Sequence, residues 1–527
     1  MAGLVMRGFR SKGIKAVVLV SVLLLVPAFS FIAVQNNGQN SLVYQMLLPY
    51  VNSPGGQPIA KADLVWGDVT FSNTSSYSGV EIVLNGNLTV ASGGVLTLTN
   101  VTLMVNCSSD GQHRIEVQSG GALYINDTDG DPTTKGDASN ITAYNPSYSY
   151  LFWVDSGAAF QMNNSEVRYC GYWNWPFTDR DDMGLWINTN DTIIENNTFS
   201  NNHIGLILVY AHHSSIRNNN FTDNDGGLDM DYSSDNTVIS NTAKGGWLGG
   251  FTLWRSSDNI LMGNTAEDFD WGFMLDWVST TNNTLVGNVA MNNAAGFEIT
   301  RGANHNNLTG NFAINNTNDI FADYGFYINS SSDNNLTGNT AVNSEYGFFV
   351  NASSSNNDLF GNDAVNCSVV GYFLGAGCVG NDLSGSVVSN FLRIRVVDSA
   401  GVGVGGVDVR VASGGVDVYA SPGYGGGNES TGVDGLTAWI TVPYQRYSGV
   451  TSSALVVEVW VMGYGHRVVD MSTSHTETFK ETNLLPLVFF AASQGSQGIP
   501  SVLIVGGLVG VALIGCVLAV YMLRRRG

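Results

Sequence analysis

One pattern of about 22 residues recurs through the middle of the chain and limits the fold more than any other feature of the sequence. Each unit begins with a glycine, and the residues one and three places after it are apolar. Such alternation is typical of a β-strand with one buried face. A unit this short cannot bury its own apolar face, so the units must stack on one another. The repeat glycines are Gly184, Gly205, Gly227, Gly250, Gly272, Gly296, Gly325, Gly347 and Gly371.

When the units stack, the apolar residues that directly follow these glycines lie on one another in a column. We expect Phe273 to lie between Phe251 and Phe297, one coil away on either side. Because the stability of a stacked repeat is a sum of neighbour contacts, a change in a middle coil should matter most. A change at the end of the column, such as at Tyr372, should matter least.

Six units share a second motif, Asn-x-Ala. We expect the Asn to occupy a turn, where it tolerates a left-handed backbone and its amide can hydrogen-bond to the next coil. The Ala two residues later predicts an inward corner too tight for a larger side chain. Helical solenoids need helix-forming, Gly-poor units, whereas these units are rich in Gly, Asn and Ser. The sequence therefore predicts a parallel β-helix. The motif Asn residues are Asn241, Asn264, Asn288, Asn311, Asn339 and Asn362.

Units such as the one from Gly325 to Ala341 resemble the repeats of the NosD-like and pectin-lyase-fold families. The resemblance covers about 200 residues. It implies a right-handed parallel β-helix, and such repeats are abundant in archaeal surface proteins. It is specific for the fold and poor for function, because one fold hosts many activities.

The regular repeats, residues 184–388, are flanked by regions of different composition. Residues 60–183 contain three Ser-Gly-Gly or Ser-Gly-Ala phrases followed by alternating residues, and we interpret them as irregular coils of the same β-helix. Residues 391–480 alternate apolar and polar residues between Gly-rich turns, which predicts a small β-sandwich. This segment resembles carboxypeptidase regulatory-like domains, which implies a stalk or adhesion module.

The two ends of the chain predict a membrane-attached extracellular protein. Residues 1–34 combine a basic cluster with an apolar run, which fits either a cleaved signal peptide or an N-terminal anchor. Residues 501–523 carry no charge and are long enough to cross a bilayer, and the basic residues 524–527 then place that end in the cytoplasm. Residues 35–59 and 482–500 are expected linkers. The protein would therefore pass the cell membrane once or twice and expose a large domain outside.

Charge and sequence motifs agree with an outside location. Between the two basic ends, 15 Lys and Arg residues face 43 Asp and Glu residues, so binding to nucleic acid is not expected. The chain contains 18 Asn-x-Ser/Thr sequences, which are acceptors for N-glycosylation in an exported glycoprotein. Five cysteines in 527 residues exclude a disulfide scaffold. One disulfide is plausible, between Cys367 and Cys378, where it would clip the last coils.

Most candidate functional residues lie two, four or five places after the repeat glycines, along the outward face of one sheet; the others, Trp173 and Trp175, belong to an aromatic and acidic stretch before the repeats that we interpret as a side loop. Neighbouring strands lie about 4.8 Å apart, so these side chains form one surface. Paired carboxylates can cleave glycosides, and aromatic rings stack on sugars. The resemblance implies the same face, since polygalacturonases and pectate lyases use it; a solvated, salt-bridged surface is the alternative. The catalytic candidates are Asp229, Asp231, Asp276, Glu298 and Arg301, and the candidate glycan contacts are Trp186, Trp254, Arg255, Trp277, Trp173 and Trp175.

Metal binding has weaker support. The NosD resemblance suggests copper, and His212 and His213 are the adjacent histidine pair, but no cluster of Cys or Met accompanies them. The acidic residues Asp223, Asp225, Asp229 and Asp231 are candidates for Ca²⁺, although the EF-hand pattern is absent. The acidic turn that begins at Asp127 is an equal candidate. The sequence predicts no other cofactor.

Two classes of function remain open. The first is a membrane-anchored surface protein whose rod is structural or binds cell-surface polysaccharide or envelope proteins. The second is a cell-attached polysaccharide lyase or glycoside hydrolase. The chain contains no nucleophile motif, phosphate loop or cofactor fingerprint, which favours the first class.

Overall fold

The computed structural model describes residues 62–173, 183–317 and 323–481, and the backbone of six short strands before residue 60. The chain divides into two compact units, Met1–Leu228 (unit 1) and Asp229–Gly527 (unit 2). The six short strands, of which the first four pair antiparallel in sequence order, are Gly8–Ser11, Ile14–Val20, Phe31–Asn36, Gln39–Tyr44, Val51–Asn52 and Pro58–Ile59.

The predicted C-terminal span, residues 501–523, and much of the predicted N-terminal signal or anchor lie outside the described residues. Within the described part of the chain, no helix has the length and apolar character needed to cross a bilayer. The helical structure described there is a single 3₁₀ turn, Pro422–Tyr424.

The described coils of unit 1 form a parallel β-helix, in agreement with the predicted fold. Each coil contributes one strand to each of three parallel sheets, which we call the Gly, Leu and Ala faces after the repeat residues they carry. For example, Leu88–Val90 pairs in parallel with Val69–Phe71 on one side and Arg114–Val117 on the other. The Gly-face strands are Val69–Phe71, Leu88–Val90, Arg114–Val117, Leu151–Val154, Gly184–Ile187 and Ile204–Val209; the Leu-face strands are Thr74–Ser78, Val95–Thr99, Ala122–Asn126, Ala159–Asn163, Ile193–Glu195 and Ser215–Arg217; the Ala-face strands are Leu64–Trp66, Glu81–Leu84, Thr102–Val105, Asn140–Ala143, Glu166–Arg168, Thr198–Ser200 and Asn220–Thr222.

The coils of unit 2 form a parallel β-helix of the same kind, with strands of more uniform length on each face. The strand Gly226–Asp231 contains the point at which the two units divide. The Gly-face strands that follow it are Gly249–Trp254, Trp271–Asp276, Ala295–Thr300, Tyr324–Asn329, Tyr346–Asn351 and Val370–Leu374; the Leu-face strands are Thr237–Ile239, Ile260–Met262, Thr284–Val286, Asn307–Thr309 and Asn335–Thr337; the Ala-face strands are Thr242–Lys244, Thr265–Glu267, Val289–Met291, Phe312–Ile314, Thr340–Val342 and Asp363–Val365.

A continuous stack of rings fills the interior behind the Gly face of unit 2. Phe273 lies 4.8 Å from Phe297 and 5.0 Å from Phe251, measured between ring centroids, with planes within 10° of parallel. The stack continues through Phe326 and Phe348 to Tyr372 with spacings of 4.7–4.9 Å. Tyr372, the last ring of the stack, also has a neighbour on its other side, because the ring of Tyr447 from the sandwich packs against it at 5.0 Å.

The repeat glycines are required by space and not by backbone conformation. A Cβ added to Gly272 would lie 2.7 Å from the carbonyl oxygen of Gly296 and 2.8 Å from the Cβ of Ala290. Equivalent approaches to the motif Ala occur at Gly250, Gly296, Gly325 and Gly347. Each coil therefore closes by placing its Gly against its Ala, which explains why both positions stay small.

The motif Asn residues form buried hydrogen-bonded ladders. The backbone N–H and the Nδ2 of Asn264 both donate to Oδ1 of Asn288, at 2.9 and 3.0 Å. Asn288 repeats this arrangement towards Asn311 and also donates to the carbonyl oxygen of Leu261. The expectation that these Asn adopt the left-handed conformation is wrong. The residue before the motif adopts it, as at Gly287 with φ of 61°, because the chain turns there to direct the Asn inward.

The C-terminal part of unit 2 is a two-sheet sandwich joined to the last coil by one strand. The first residues of Val387–Val397 pair in parallel with Asp363–Val365 on the Ala face, and its second half pairs with His475–Lys480. One sheet therefore continues across the boundary predicted near residue 390. The remaining sandwich strands are Val409–Ser413, Val416–Ala420, Ile440–Ser448, Thr451–Ala454, Val457–Val461 and Gly465–Val469.

The disulfide predicted between Cys367 and Cys378 is not formed, because both residues are free thiols. Cys367 lies under the Gly face, where its Sγ would be 3.0 Å from a Cβ at position 347. Cys378 instead directs its Sγ towards the carbonyl oxygen of Val350, at 3.6 Å. Burial raises the pKa of Cys367 to about 12, so its thiol stays protonated.

Candidate functional site

The outward side of the Gly face in unit 2 carries the chemically active side chains. The residues two places after the repeat glycines point outward, whereas those one and three places after are buried, as at Phe273 and Leu275. The alternation of buried and surface residues is interrupted at the glycine. Gly272 and Phe273 are both buried, and the residue before the glycine, Trp271, is again at the surface. The residue before the glycine is likewise at the surface in the strands that begin at Tyr324, Tyr346 and Val370, where it adds a second outward position.

A cavity of about 300 Å³ opens on this surface, and we call it the Glu298 pocket. It lies on three successive strands, because Trp271 is in register with Ala295, and Glu298 is in register with Tyr327. The rings of Tyr324 and Tyr327 stack at 4.5 Å on one side of it. The residues that line it are Asp270, Trp271, Ala294, Ala295, Glu298, Tyr324 and Tyr327.

Glu298 is the ionisable group at the centre of the pocket. Its pKa is raised to about 7, mainly by burial; the nearby carboxylate of Asp276 contributes to the shift, while a hydrogen bond from the Trp271 side chain and the charge of Arg301 oppose it. At neutral pH this carboxyl group is therefore present in both protonation states. Burial also raises the pKa of Asp270, and it raises that of Tyr327 to about 12. Strong perturbation inside a cavity is typical of functional sites.

Asp276 and Arg301 form a two-pronged ion pair next to Glu298. The Nε of Arg301 donates to Oδ1 of Asp276 at 2.6 Å, and a second guanidinium nitrogen donates to Oδ2. Asp276 is 3% exposed, so its charge requires this partner. The pair orients the Arg301 side chain, which remains half exposed, beside the pocket.

Aromatic rings and arginines alternate beyond the end of the same strands, and we call this group the Arg–Trp ridge: Tyr232, Trp254, Arg255, Trp277 and Arg301. The guanidinium carbon of Arg255 lies 4.3 Å from the ring centroid of Trp254 and 5.3 Å from that of Trp277. Arg301 lies 5.1 Å from the Trp277 ring centroid. Such contacts fix the rings in place at the surface.

The structure brings together some predicted site residues and separates others. Asp276, Glu298 and Arg301 form one cluster, with the glycan candidates Trp254, Arg255 and Trp277 beside it. Asp229 and Asp231 are half-buried at the start of unit 2 and do not line the Glu298 pocket. Trp271 and Tyr324 were missed, because counting by twos back from the buried column assigns the residue before the glycine to the interior; Asp270 was missed because it precedes its strand.

The candidate glycan contacts in unit 1 have different outcomes. Trp186 was expected to offer its ring to a ligand, but it is only 5% exposed and lies in register with Trp153 on the neighbouring strand, so this expectation is wrong. Trp173 is half exposed, and its ring packs edge-on against His203 at 5.5 Å. Trp175 lies outside the described residues.

The predicted metal ligands do not assemble into one site. His212 and His213 lie at a turn of unit 1 with ring centroids 6.4 Å apart. Asp223 and Asp225 belong to unit 1 and Asp229 and Asp231 to unit 2, and Oδ2 of Asp225 is 2.5 Å from Nδ1 of His203. Among the described residues, the group of His, Cys, Asp or Glu close enough to share an ion is Asp127, Asp129 and Asp137, in the acidic turn of unit 1. These hard oxygen ligands suit Ca²⁺.

Comparisons with known proteins agree with the fold. The family model described as "Periplasmic copper-binding protein (NosD)" matches residues 105–322 and 275–400. Copper prefers His, Cys and Met ligands, and the three-Asp cluster of the described region does not fit it.

Among solved structures, the A-module of mannuronan C-5 epimerase AlgE6 from Azotobacter vinelandii is 17% identical, covers 58% of this chain and 90% of its own, and has a TM-score of 0.40. The exopolygalacturonase from Thermotoga maritima is 11% identical, with 58% and 83% covered and a TM-score of 0.32. The alginate lyase from Paenibacillus sp. str. FPU-7 is 12% identical, with 60% and 99% covered and a TM-score of 0.32. No curated protein matches the chain.

Proposed function

We propose that this chain, which belongs to the NosD family, is an extracellular protein that binds polysaccharide on the Gly face of unit 2. The observation that carries the proposal is the Glu298 pocket, where aromatic walls stand beside the carboxyl groups of Glu298 and Asp270, with the Arg–Trp ridge beyond the ends of the Gly-face strands. A cavity of about 300 Å³ has room for a single sugar ring and not for a folded partner.

The layout of the surface favours an extended ligand over a small one. The strand Trp271–Asp276 begins at the pocket and ends at the ridge, a distance of about 17 Å at the rise of a β-strand. Rings of Trp271 and Tyr327 at one end and of Trp254 and Trp277 at the other can contact successive sugar units. Arg255 stands between the rings of Trp254 and Trp277, and Arg301 stands against Trp277, which supports preference for a chain that carries some carboxylate groups.

Sequence features support a location at the cell surface. The uncharged segment 501–523 and the three arginines that follow it favour a membrane anchor, with residues up to about 499 outside. The many sequons and the acidic surface agree with export. Copper is not part of the proposal, because the described residues do not form a site for it. Binding of Ca²⁺ to unit 1 stays a prediction that calorimetry with the ion can test.

Affinity electrophoresis through gels that contain neutral or uronate polysaccharides tests the proposal. We expect at least one uronate-containing polymer to retard the protein, and Trp277→Ala to weaken retention by about ten-fold, because the ring anchors both arginines. Phe312→Ala is the matched control, since Phe312 is an exposed aromatic residue on the Ala face. The proposal fails if no polymer binds or if both variants behave alike.

A second candidate function is acid–base cleavage of the bound polysaccharide. It is favoured by one observation, the pKa of Glu298 of about 7, which suits a group that both accepts and donates a proton. Release of reducing ends or of unsaturated products should then follow a pH profile centred near 7, and Glu298→Gln should abolish it while binding persists. Binding without product formation over long incubation would contradict this second function and leave the first intact.

A further inference from the structure

We propose that a second cavity of unit 2, between the last coils and the sandwich, binds a neutral saccharide. Its volume is about 410 Å³, and it is lined by Asn343, Asn366, Phe391, Trp439 and Ser474. We call it the junction pocket. It lies beside the corner that follows the Ala-face strands, and none of its lining residues belongs to the Glu298 pocket.

A row of side-chain amides forms the polar wall of the junction pocket. Asn343 and Asn366 both have left-handed backbones, with φ of 55° and 52°, because they follow the last residue of an Ala-face strand. Asn366 Nδ2 donates to Oδ1 of Asn343 at 2.8 Å, and Asn343 Nδ2 donates to Oδ1 of Asn315 at 2.8 Å. Ser474 Oγ continues the row by donating to Oδ1 of Asn366 at 2.7 Å. The row therefore holds its amides in one fixed orientation.

This row leaves hydrogen-bonding capacity for a ligand. A side-chain amide has two N–H donors and two acceptor lone pairs, and each bond of the row uses one of them. Asn343 and Asn366 thus each keep one N–H and one lone pair. A hydroxyl group both donates and accepts, so the vicinal hydroxyls of a sugar match such paired, pre-oriented groups.

An exposed aromatic ring forms the opposite wall. Trp439 is 53% exposed, and the guanidinium carbon of Arg393 lies 5.7 Å from its ring centroid. Arg393 is itself held by a hydrogen bond from Nε to the carbonyl oxygen of Thr437, at 2.8 Å. Phe391 is anchored through its backbone N–H, which donates to Ser474 Oγ at 2.8 Å. An exposed indole beside hydrogen-bonded amides provides both an apolar face and polar edges, as a sugar ring requires.

The charge of the lining selects the kind of saccharide. Of the described residues that line the junction pocket, none is ionisable. Arg393 lies against the Trp439 ring but does not line the pocket, and its Nε already donates to Thr437. No lining group would therefore compensate the desolvation of a carboxylate, so a neutral sugar is favoured over a uronate. This distinguishes the junction pocket from the Glu298 pocket, which holds Asp270 and Glu298.

The chain's own C-terminal segment is a poorer occupant than a sugar. Ser474 lies at the pocket, but the strand His475–Lys480 then runs parallel to Leu392–Val397, away from it. Six residues in a strand span about 17 Å, so Glu481 lies at the end of the sandwich remote from the pocket.

Isothermal titration of the full chain in detergent against neutral cello-, malto-, xylo- and chito-oligosaccharides tests the inference, with oligogalacturonate as the charged comparison. We expect binding of at least one neutral oligosaccharide. Trp439→Ala should weaken it by about ten-fold or more, and Trp439→Phe should restore most of the affinity because a ring remains. Trp460→Ala is the control, since Trp460 lies in the same sandwich but outside the pocket, against Arg410 and His466.

Asn366→Asp provides an independent test of the polar wall. It keeps the acceptor for Ser474 but removes the donor to Asn343 and adds a charge, so affinity for the neutral sugar should fall about ten-fold as well. The inference is overturned if no neutral oligosaccharide binds. It is also overturned if Trp439→Ala and Trp460→Ala bind equally well with unchanged unfolding temperatures, or if oligogalacturonate binds more tightly through Trp439 than any neutral chain does.

Discussion

The irregular coils of residues 62–173 and the regular coils of unit 2 build the same type of β-helix with different interiors. The irregular coils are filled mostly by Val, Ile and Leu, and their ring pair Phe152–Phe160 meets edge-to-face at 84°. The regular coils contain the parallel ring stack and the Asn ladders. Aliphatic side chains interdigitate in many ways, whereas a ladder of identical residues requires every coil to place that residue at the same register position, as Asn288, Asn311 and Asn339 do.

This difference teaches how the regular coils can support a site. In the irregular coils, the 13 residues between the strands Ala122–Asn126 and Asn140–Ala143 form one long loop. In unit 2, stacked Phe and Asn residues fix the register from inside, so the outward positions are free to vary. Glu298, Asp276 and Arg301 therefore occupy positions whose spacing is set by residues they do not contact.

The largest effect is expected for Phe273→Ala. This change removes a ring that stacks on two neighbours and leaves a cavity in a ladder that cannot easily collapse, so the free energy of unfolding should fall by about 3–5 kcal/mol. Phe273→Leu should lower it by less than about 1.5 kcal/mol, since Leu228 occupies the same column. Denaturant unfolding measures both, and equal midpoints for the Ala variant and wild type would contradict the stacked register.

Asn288→Ala is expected to have the next largest effect. It leaves the buried backbone N–H of Asn264 and the carbonyl oxygen of Leu261 without their partners, and should lower the free energy of unfolding by about 2–4 kcal/mol. Asn335→Ala is the control, because Asn335 is exposed and should change stability by less than about 0.5 kcal/mol. If the two variants unfold alike, the ladder does not stabilise unit 2.

A stabilising, pH-dependent effect is expected at Asp363, in the last coil. Burial raises its pKa to about 6, while a hydrogen bond from Ser389 opposes the shift. The folded state thus disfavours the carboxylate, so the stability from this group is complete below about pH 4 and is lost as the pH rises to about 6. Asp363→Asn should stabilise the protein at pH 8 by about 1–3 kcal/mol.

Thermal melts at pH 4 and pH 8 test whether Asp363→Asn stabilises the protein only at the higher pH. The advantage of Asp363→Asn should vanish at the lower pH, where the wild-type carboxyl is protonated. Asp333→Asn, an exposed carboxyl on the same unit, should show no such difference between the two pH values. A variant that is less stable than wild type at pH 8 would contradict the prediction.

The smallest effect concerns the end of the ring stack. The sequence predicts that Tyr372 matters least because it has one neighbour. In the structure Phe348 lies 4.9 Å away on one side and Tyr447 lies 5.0 Å away on the other. We therefore expect Tyr372→Leu to lower the free energy of unfolding by about 1–1.5 kcal/mol, as much as Phe273→Leu does. A smaller loss of unfolding free energy for Tyr372→Leu than for Phe273→Leu would contradict this expectation and support the order predicted from the sequence.

The repeat made most of the fold predictable, because inward positions recur at fixed spacing and identical residues mark them. The column that includes Phe273 and the buried Asn288 could be read from the sequence alone. The strand that joins the two parts of unit 2 could not, since the alternation that begins at Phe391 gives no sign that the strand starts earlier, at Val387, on the Ala face. Local alternation carries no information about which sheet a strand joins.

The site was predictable only in part, for a geometric reason. Glu298, two places after its glycine, was assigned to the outward face by simple alternation. Trp271 and Tyr324 complete the same pocket but precede the glycine, where the strand bends so that two consecutive residues are buried. The left-handed conformation was likewise predicted one residue too late, at Asn288, whereas Gly287 adopts it.

The continuous strand Val387–Val397 also determines how the protein would respond to tension. It enters the sandwich from the coils at one end, while its parallel partner His475–Lys480 leaves the sandwich at the other end. A pull between the coils and the residues after Glu481 would draw the two strands past each other in opposite directions. All the hydrogen bonds between them would then bear the load together in shear, which resists force better than opening them one at a time.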